Sequence, residues 1–285
     1  MTTCNSVPVV QCPEAQLRRL TEDHARANES GTENISSSNR PSALERNYTQ
    51  FYDHERMDVI ECIENSRIHK ERNRWAEIED CRVACIIFEE SFAAALSLKE
   101  SSIKGISWIL SSAPFIGAQY AETRTKEGSD PQCYSVNTEG GRPCTLDQSS
   151  LNSLNVILKE TAESCDVHAL VQKTSDTLSK RQEKGRLQHY KGDLLTKPAM
   201  MRYMEKCCRY AWKLVCQTPP YAIEGNHSLR KSVFDPNIHQ LSREYAPAEH
   251  TGSGYIQLVL WPGLFDGSSG RVIRKTEVLL QSPCQ

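Results

Sequence analysis

Residues 200–220 read MMRYMEKCCRYAWKLVCQTPP, and their periodicity sets the fold class. Met200, Met204, Cys207, Ala211 and Val215 recur three or four positions apart, the spacing that stacks side chains along one side of an α-helix. Met201, Cys208 and Trp212 widen that apolar stripe. Arg202, Lys206, Arg209 and Lys213 recur at intervals of four, three and four and form a second stripe, which is basic. Pro219 and Pro220 stop the helix, because proline lacks the amide hydrogen that continuation needs and pushes the preceding residue out of the helical region. One side of such a helix seeks a core, and the other seeks water or anions.

Upstream, the same period recurs. Ser42 and Glu45 have capping-box spacing, and Tyr48, Phe51, Tyr52, Ile60 and Ile63 follow along a helix expected to reach about residue 66. Ile78, Cys81, Cys85, Phe88, Phe92, Ala95 and Lys99 repeat at three and four, which predicts a long second helix over residues 70–104 and a seam against neighbours packed nearly side by side. Trp108 to Tyr120 reads as a short helical or extended piece broken by Pro114. Residues 121–144 lack apolar periodicity and are expected to be a mobile loop. Thr145 and Gln148 restart a helix by capping-box logic; its stripe is Leu151, Leu154 and Ile157 or Leu158, followed by Val167, Leu170, Val171 and Leu178.

Downstream of Pro220 the texture changes. Tyr255 to Trp261 is β-rich, residues 266–270 (DGSSG) form a turn signal, and Arg271 to Leu280 alternates, so residues 255–280 are expected to form a β-hairpin docked on the helices. Residues 1–41 are rich in Ser, Asn, Glu and Thr and are expected to be a disordered polar tail. The fold expected is mostly α: a bundle of four to five helices over 42–285, closed by a C-terminal hairpin.

Composition narrows the function classes. With 285 residues, 32.2 kDa, 38% hydrophobic residues and net charge −2, the chain suits a globular fold and lacks the basic excess of a nucleic-acid binder. Its apolar runs fall short of the ~20 residues a membrane-spanning helix needs, and its start shows no secretory or transit signal. In the reducing compartment this implies, most of the 12 cysteines are expected to be free thiols, and the four Asn-x-Ser/Thr sequons to be chance matches.

Enzyme signatures are absent: no G-x-S-x-G, G-x-G-x-x-G, H-E-x-x-H or C-x-x-C occurs, and the glycines before Lys275 have the wrong spacing for a phosphate loop. No cofactor or metal is implied. Cys207, Cys208 and Cys216 suit core packing better than metal ligation, since adjacent helical residues diverge by ~100°. A reactive thiol at Cys207 or Cys208, activated by Arg202, Lys206 and Arg209, is a third-ranked reading. The basic stripe itself reads either as a solvated face that keeps the helix soluble or as a surface for anionic lipid or an acidic partner, extended by Arg271, Arg274 and Lys275 if the hairpin docks nearby. Met200, Met201 and Met204 are either core filler or a soft partner surface.

Several blocks together resemble the C-terminal domain of the mitochondria-eating protein family. They are Tyr52–Asp58 (YDHERMD), Ile86–Ala94 (IIFEESFAA), Cys207–Pro220 (CCRYAWKLVCQTPP) and Val259–Leu264 (VLWPGL) followed by a basic strand, in the family's order over residues 44–280. The resemblance implies an α-helical, non-catalytic protein of mitochondrial quality control, whose relatives bind cardiolipin and self-associate. Relatives carry a long coiled-coil region before this domain, whereas here residues 1–41 are polar. The leading expectation is a cytoplasmic adaptor peripheral to the mitochondrial outer membrane, docking on anionic phospholipid through Arg202, Lys206, Arg209 and Lys213, with homo-oligomers and no nucleic acid. The alternative is a protein–protein scaffold with no lipid role.

Overall fold

Pro41 opens the first helix, where its missing amide hydrogen is one of those a helix start leaves unbonded anyway. Helix α1 (Pro41–Gln50) passes without a break into one π-helical turn, Phe51–Glu55, and on into α2 (Arg56–Glu64). The capping box expected at Ser42 and Glu45 does not form, because the helix begins one residue before Ser42. The Glu45 carboxylate instead accepts hydrogen bonds from the Tyr221 hydroxyl (3.3 Å) and the Arg271 guanidinium (2.8 Å). The computed structural model describes residues 39–69, 73–123, 146–183, 187, 189–225, 229, 232–245 and 254–281, with side chains in the second of these runs given to residue 109. Residues 1–38 of the expected tail and 124–144 of the expected loop lie outside them.

Helix α3 (Arg74–Thr123) has 50 residues, or ~75 Å at 1.5 Å per residue. All seven seam positions from Ile78 to Lys99 are buried, as the spacing predicts. Lys99 belongs there for a polar reason: its ammonium donates to the Val215 carbonyl at 2.8 Å and so caps the negative end of another helix. The helix does not stop near residue 104. Its backbone stays helical through Pro114 to Thr123, three residues into the stretch expected to be loop. Proline removes one hydrogen bond and crowds the preceding turn, which costs stability without forcing the chain out of the helix.

Helix α4 (Gln148–Thr161) is capped by Asp147, whose carboxylate accepts the Ser150 amide at 2.8 Å. Of the two stripe alternatives, Leu158 packs against the core and Ile157 is exposed. A turn at 162–167 leads to α5 (His168–Glu183), so the apolar residues from Leu151 to Leu178 fall on two helices. Helix α6 (Pro198–Val215), preceded by a 3-10 turn at Leu194–Thr196, runs through the middle against α3, α5 and α2.

The C-terminal segment is one hairpin bent at its middle. β3 (Ile256–Trp261) continues past Pro262 into β4 (Gly263–Asp266), and β5 (Val272–Arg274) continues past Lys275 into β6 (Thr276–Leu280). β3 pairs antiparallel with β6, and β4 with β5, so the expected pairing of the two segments is present. Each half gains one strand. β1 (Tyr221–Glu224) joins β4 antiparallel, and β2 (His239–Leu241) joins β6 in parallel, giving two three-stranded sheets ordered β1-β4-β5 and β2-β6-β3. The corner requires glycine, since a Cβ at Gly263 would lie 2.4 Å from the Thr276 hydroxyl and 2.8 Å from the Phe265 ring.

Helices and hairpin meet at an aromatic cluster. Trp261, fully buried at the corner, lies 5.2 Å from Phe88 of α3 and 6.2 Å from Tyr48 of α1 between ring centroids. Tyr210 of α6 stacks on Phe51 at 5.2 Å and 17°. The buried Tyr48 hydroxyl donates to the Pro262 carbonyl at 2.7 Å, which pins the hairpin bend to α1.

Candidate docking face

α6 is segregated as its periodicity requires. Met200, Tyr203, Met204, Cys207, Cys208, Tyr210, Ala211, Trp212, Leu214 and Val215 are buried, while Arg202, Glu205 and Lys206 are exposed. Met201, counted with the apolar stripe, is 38% exposed and lies at its edge. Met200 and Met204, fully buried, are core filler and offer no partner surface.

The basic stripe is not the free row of cations that the spacing alone describes. Lys206 is ion-paired with Glu55 of the π-helical turn, and Lys213 with Glu163 of the turn between α4 and α5. The Lys213 side chain is only 13% exposed. Arg209 reaches Glu205 on its own helix at 3.2 Å and donates to the Cys165 carbonyl at 3.3 Å. Arg202 is exposed with no polar partner among the described residues. Three of the four cations are therefore neutralised locally, which corrects the expectation of an open cationic stripe. Two of the three carboxylates come from distant parts of the chain, so no local reading of 200–220 contains them.

The three hairpin cations are also engaged, each against a different element. Arg271 pairs with Glu45 of α1 at 2.8 Å, and the Lys275 ammonium donates to the Pro236 carbonyl. The Arg274 guanidinium lies 4.2 Å from the centroid of the Tyr52 ring, to which Arg56 also stacks at 3.9 Å. Tyr52 donates its hydroxyl to Glu277 at 2.5 Å, and burial followed by that carboxylate pushes its phenol above the ordinary range. This grip of Tyr52, Arg56, Arg274 and Glu277 joins the π-helical turn to β5 and β6. The π insertion appears only once the backbone is known, so the sequence period could not announce it.

Cys207, Cys208 and Cys216 are poorly placed for redox chemistry. Burial pushes the Cys207 and Cys208 thiols up, and Arg202, Lys206 and Arg209 belong to the solvent side of the helix. Burial likewise pushes Cys216 up to about 12, with Lys99 opposing it. This overturns the reading of a thiol activated by the basic stripe. Among the described residues, no group of three or more His, Cys, Asp or Glu could hold a metal ion, and no helix is long and apolar enough to cross a membrane.

Fold and face together define a mostly helical domain with a bent hairpin clamped across its aromatic core. The chain belongs to the mitochondria-eating protein family, whose model matches residues 40–280. Membership implies a role in mitochondrial quality control. No curated protein and no solved structure matches the chain.

Proposed function

We propose that the chain is a non-catalytic adaptor in mitochondrial quality control that docks from the cytoplasmic side on the anionic, cardiolipin-containing surface of the mitochondrial outer membrane. The observation that supports this reading is the outer edge of α6, where Arg202 is exposed with no polar partner among the described residues and the Lys206 side chain is 50% exposed one turn away. A basic residue near an anionic bilayer contributes ~1 kcal/mol, so Arg202 supplies ~1 kcal/mol, about a fivefold preference over neutral lipid, and Lys206 adds to it only as far as it leaves Glu55. That is well below what four free cations would give, and salt screens it. Flotation with cardiolipin-containing and neutral vesicles tests it. Recovery should favour the anionic vesicles, fall with salt, and be lost in Arg202→Glu/Lys206→Glu. Equal recovery on both vesicles, or an unaffected double variant, overturns it.

A second reading, a protein–protein scaffold that also self-associates, is favoured by a different surface. Past Lys99, no described side chain of α3 is buried, and Trp108 and Ile109 stand exposed. Val156 and Ile157 of α4 are exposed as well. Sedimentation equilibrium of the wild-type chain against Trp108→Ser/Ile157→Ser tests this surface. Weaker self-association in the variant supports it, and identical behaviour removes it.

A further inference from the structure

We propose that Glu55 and Glu163 form an electrostatic latch on α6, competing with anionic lipid for Lys206 and Lys213. The inference rests on the membrane-docking reading above and adds its regulation.

The geometry sets up a competition between near-equal partners. The Lys206–Glu55 pair is half open to solvent on the lysine side. In the Lys213–Glu163 pair the carboxylate is 55% exposed, so solvent reaches the acid while the ammonium is sheltered beneath it. Ion pairs open to solvent on at least one side are each worth about a two- to fivefold bias in an equilibrium. A basic residue at an anionic bilayer gains a similar factor. Lipid phosphate and protein carboxylate are thus matched competitors for the same ammonium groups, and neither outcome is imposed by strength alone.

The carboxylates also come from elements other than α6. Glu55 lies on the π-helical turn between α1 and α2, and Glu163 on the turn between α4 and α5. Arg209 holds that second turn independently, through the Cys165 carbonyl at 3.3 Å. When lipid takes Lys213, the turn keeps this backbone anchor but loses the Glu163–Lys213 ion pair. Membrane engagement therefore loosens the 162–167 turn, and α4 with it, without unfolding α6. With the latch closed, the face offers Arg202 and a half-masked Lys206. Opened, it offers Lys213 in addition.

Glu55→Gln and Glu163→Gln remove the competing charge while keeping side-chain shape. Both should bind cardiolipin-containing vesicles about two- to fivefold more tightly than wild type, and the double variant about tenfold, since the two lysines lie ~10 Å apart along the helix and act independently. Glu160→Gln on α4 makes the same change in net charge at an exposed residue without an ion pair among the described residues, and should leave binding unchanged. Thermal melts of each variant check that the fold is intact. Adding Lys206→Gln and Lys213→Gln to the double variant should abolish the gain. If wild type binds anionic vesicles and the Gln variants bind no better, or no better than Glu160→Gln, the latch is refuted while the docking reading stands. If neither wild type nor any variant binds, both fall together.

Discussion

Asp80 on α3 carries a sharp prediction, because it is a buried carboxylate with two buried partners. Arg67 grips it with both prongs, one of them Nε to Oδ1 at 2.9 Å, and the Tyr190 hydroxyl donates to the same Oδ1 at 2.9 Å. The Asp80 side chain is 1% exposed and that of Arg67 7%. Around this centre the link between α2 and α3 pairs with the link before α6: the Ile68 amide donates to the His189 carbonyl at 2.9 Å, and the Lys191 amide to the Ser66 carbonyl at 2.8 Å. Asp80→Ala takes from the buried Arg67 guanidinium the carboxylate it grips with two hydrogen bonds, which costs up to ~3–5 kcal/mol, and strips Tyr190 of its acceptor for ~1 kcal/mol more. For a domain of this size each kcal/mol lowers Tm by about 2–4 °C, so the variant should melt roughly 8–24 °C lower. Guanidinium unfolding should show the loss in the midpoint with the slope unchanged. Arg67→Met/Asp80→Leu/Tyr190→Phe, which removes the whole polar group, should recover to within ~2 kcal/mol of wild type, because the cost lies in orphaning a charge rather than in lacking a bridge. A loss below ~1 kcal/mol for Asp80→Ala, or a triple variant that sums its single losses, would refute the reasoning.

Other outcomes follow from the same structure. Trp261→Ala, which empties the centre of the aromatic cluster, should cost ~3–5 kcal/mol in denaturant unfolding, while Trp75→Ala, half exposed at the start of α3, should stay within ~0.5 kcal/mol. At the hairpin turn, hydrogen bonds from the Ser268 hydroxyl and the Ser268 and Ser269 amides hold the Asp266 carboxyl down at about 2. Because its folded value lies below the unfolded value of ~3.9, its support of the turn is complete above about pH 4 and lost as pH falls through 2. The Ser268 amide resonance should report that midpoint, and a transition above about pH 3.5 would contradict the bonding. Alkylation at neutral pH should modify Cys62 and Cys165 before the buried Cys81, Cys85, Cys207, Cys208 and Cys216; fast labelling of Cys207 or Cys208 would restore the redox reading.

Much of the helical scaffold was legible from period alone. The seam from Ile78 to Lys99, the buried stripe of α6 and the antiparallel hairpin that sets 256–261 against 277–280 all follow from side chains sorting between water and core, a short-range pressure written directly into residue order. Helix ends were less legible. The caps at Ser42 and Thr145 gave way to starts at Pro41 and Asp147, because several nearby residues can open a helix at similar cost. The strands that complete the sheets, Tyr221–Glu224 and His239–Leu241, are four and three residues long and carry too little alternation to declare themselves.

By itself, the residue order determined that this chain buries one side of each helix, turns at Asp266–Gly270, and carries cations on the solvent side of α6. Only the tertiary structure decided what those cations meet. Glu55 and Glu163 arrive at Lys206 and Lys213 from other helices and turns, and Arg56 stacks on Tyr52 with Trp261 and Glu277 nearby. Hydrophobic sorting is local and periodic, so a sequence displays it. A charge interacts with whatever the folded chain brings within a few ångströms, and that neighbour is set by the path of the whole backbone.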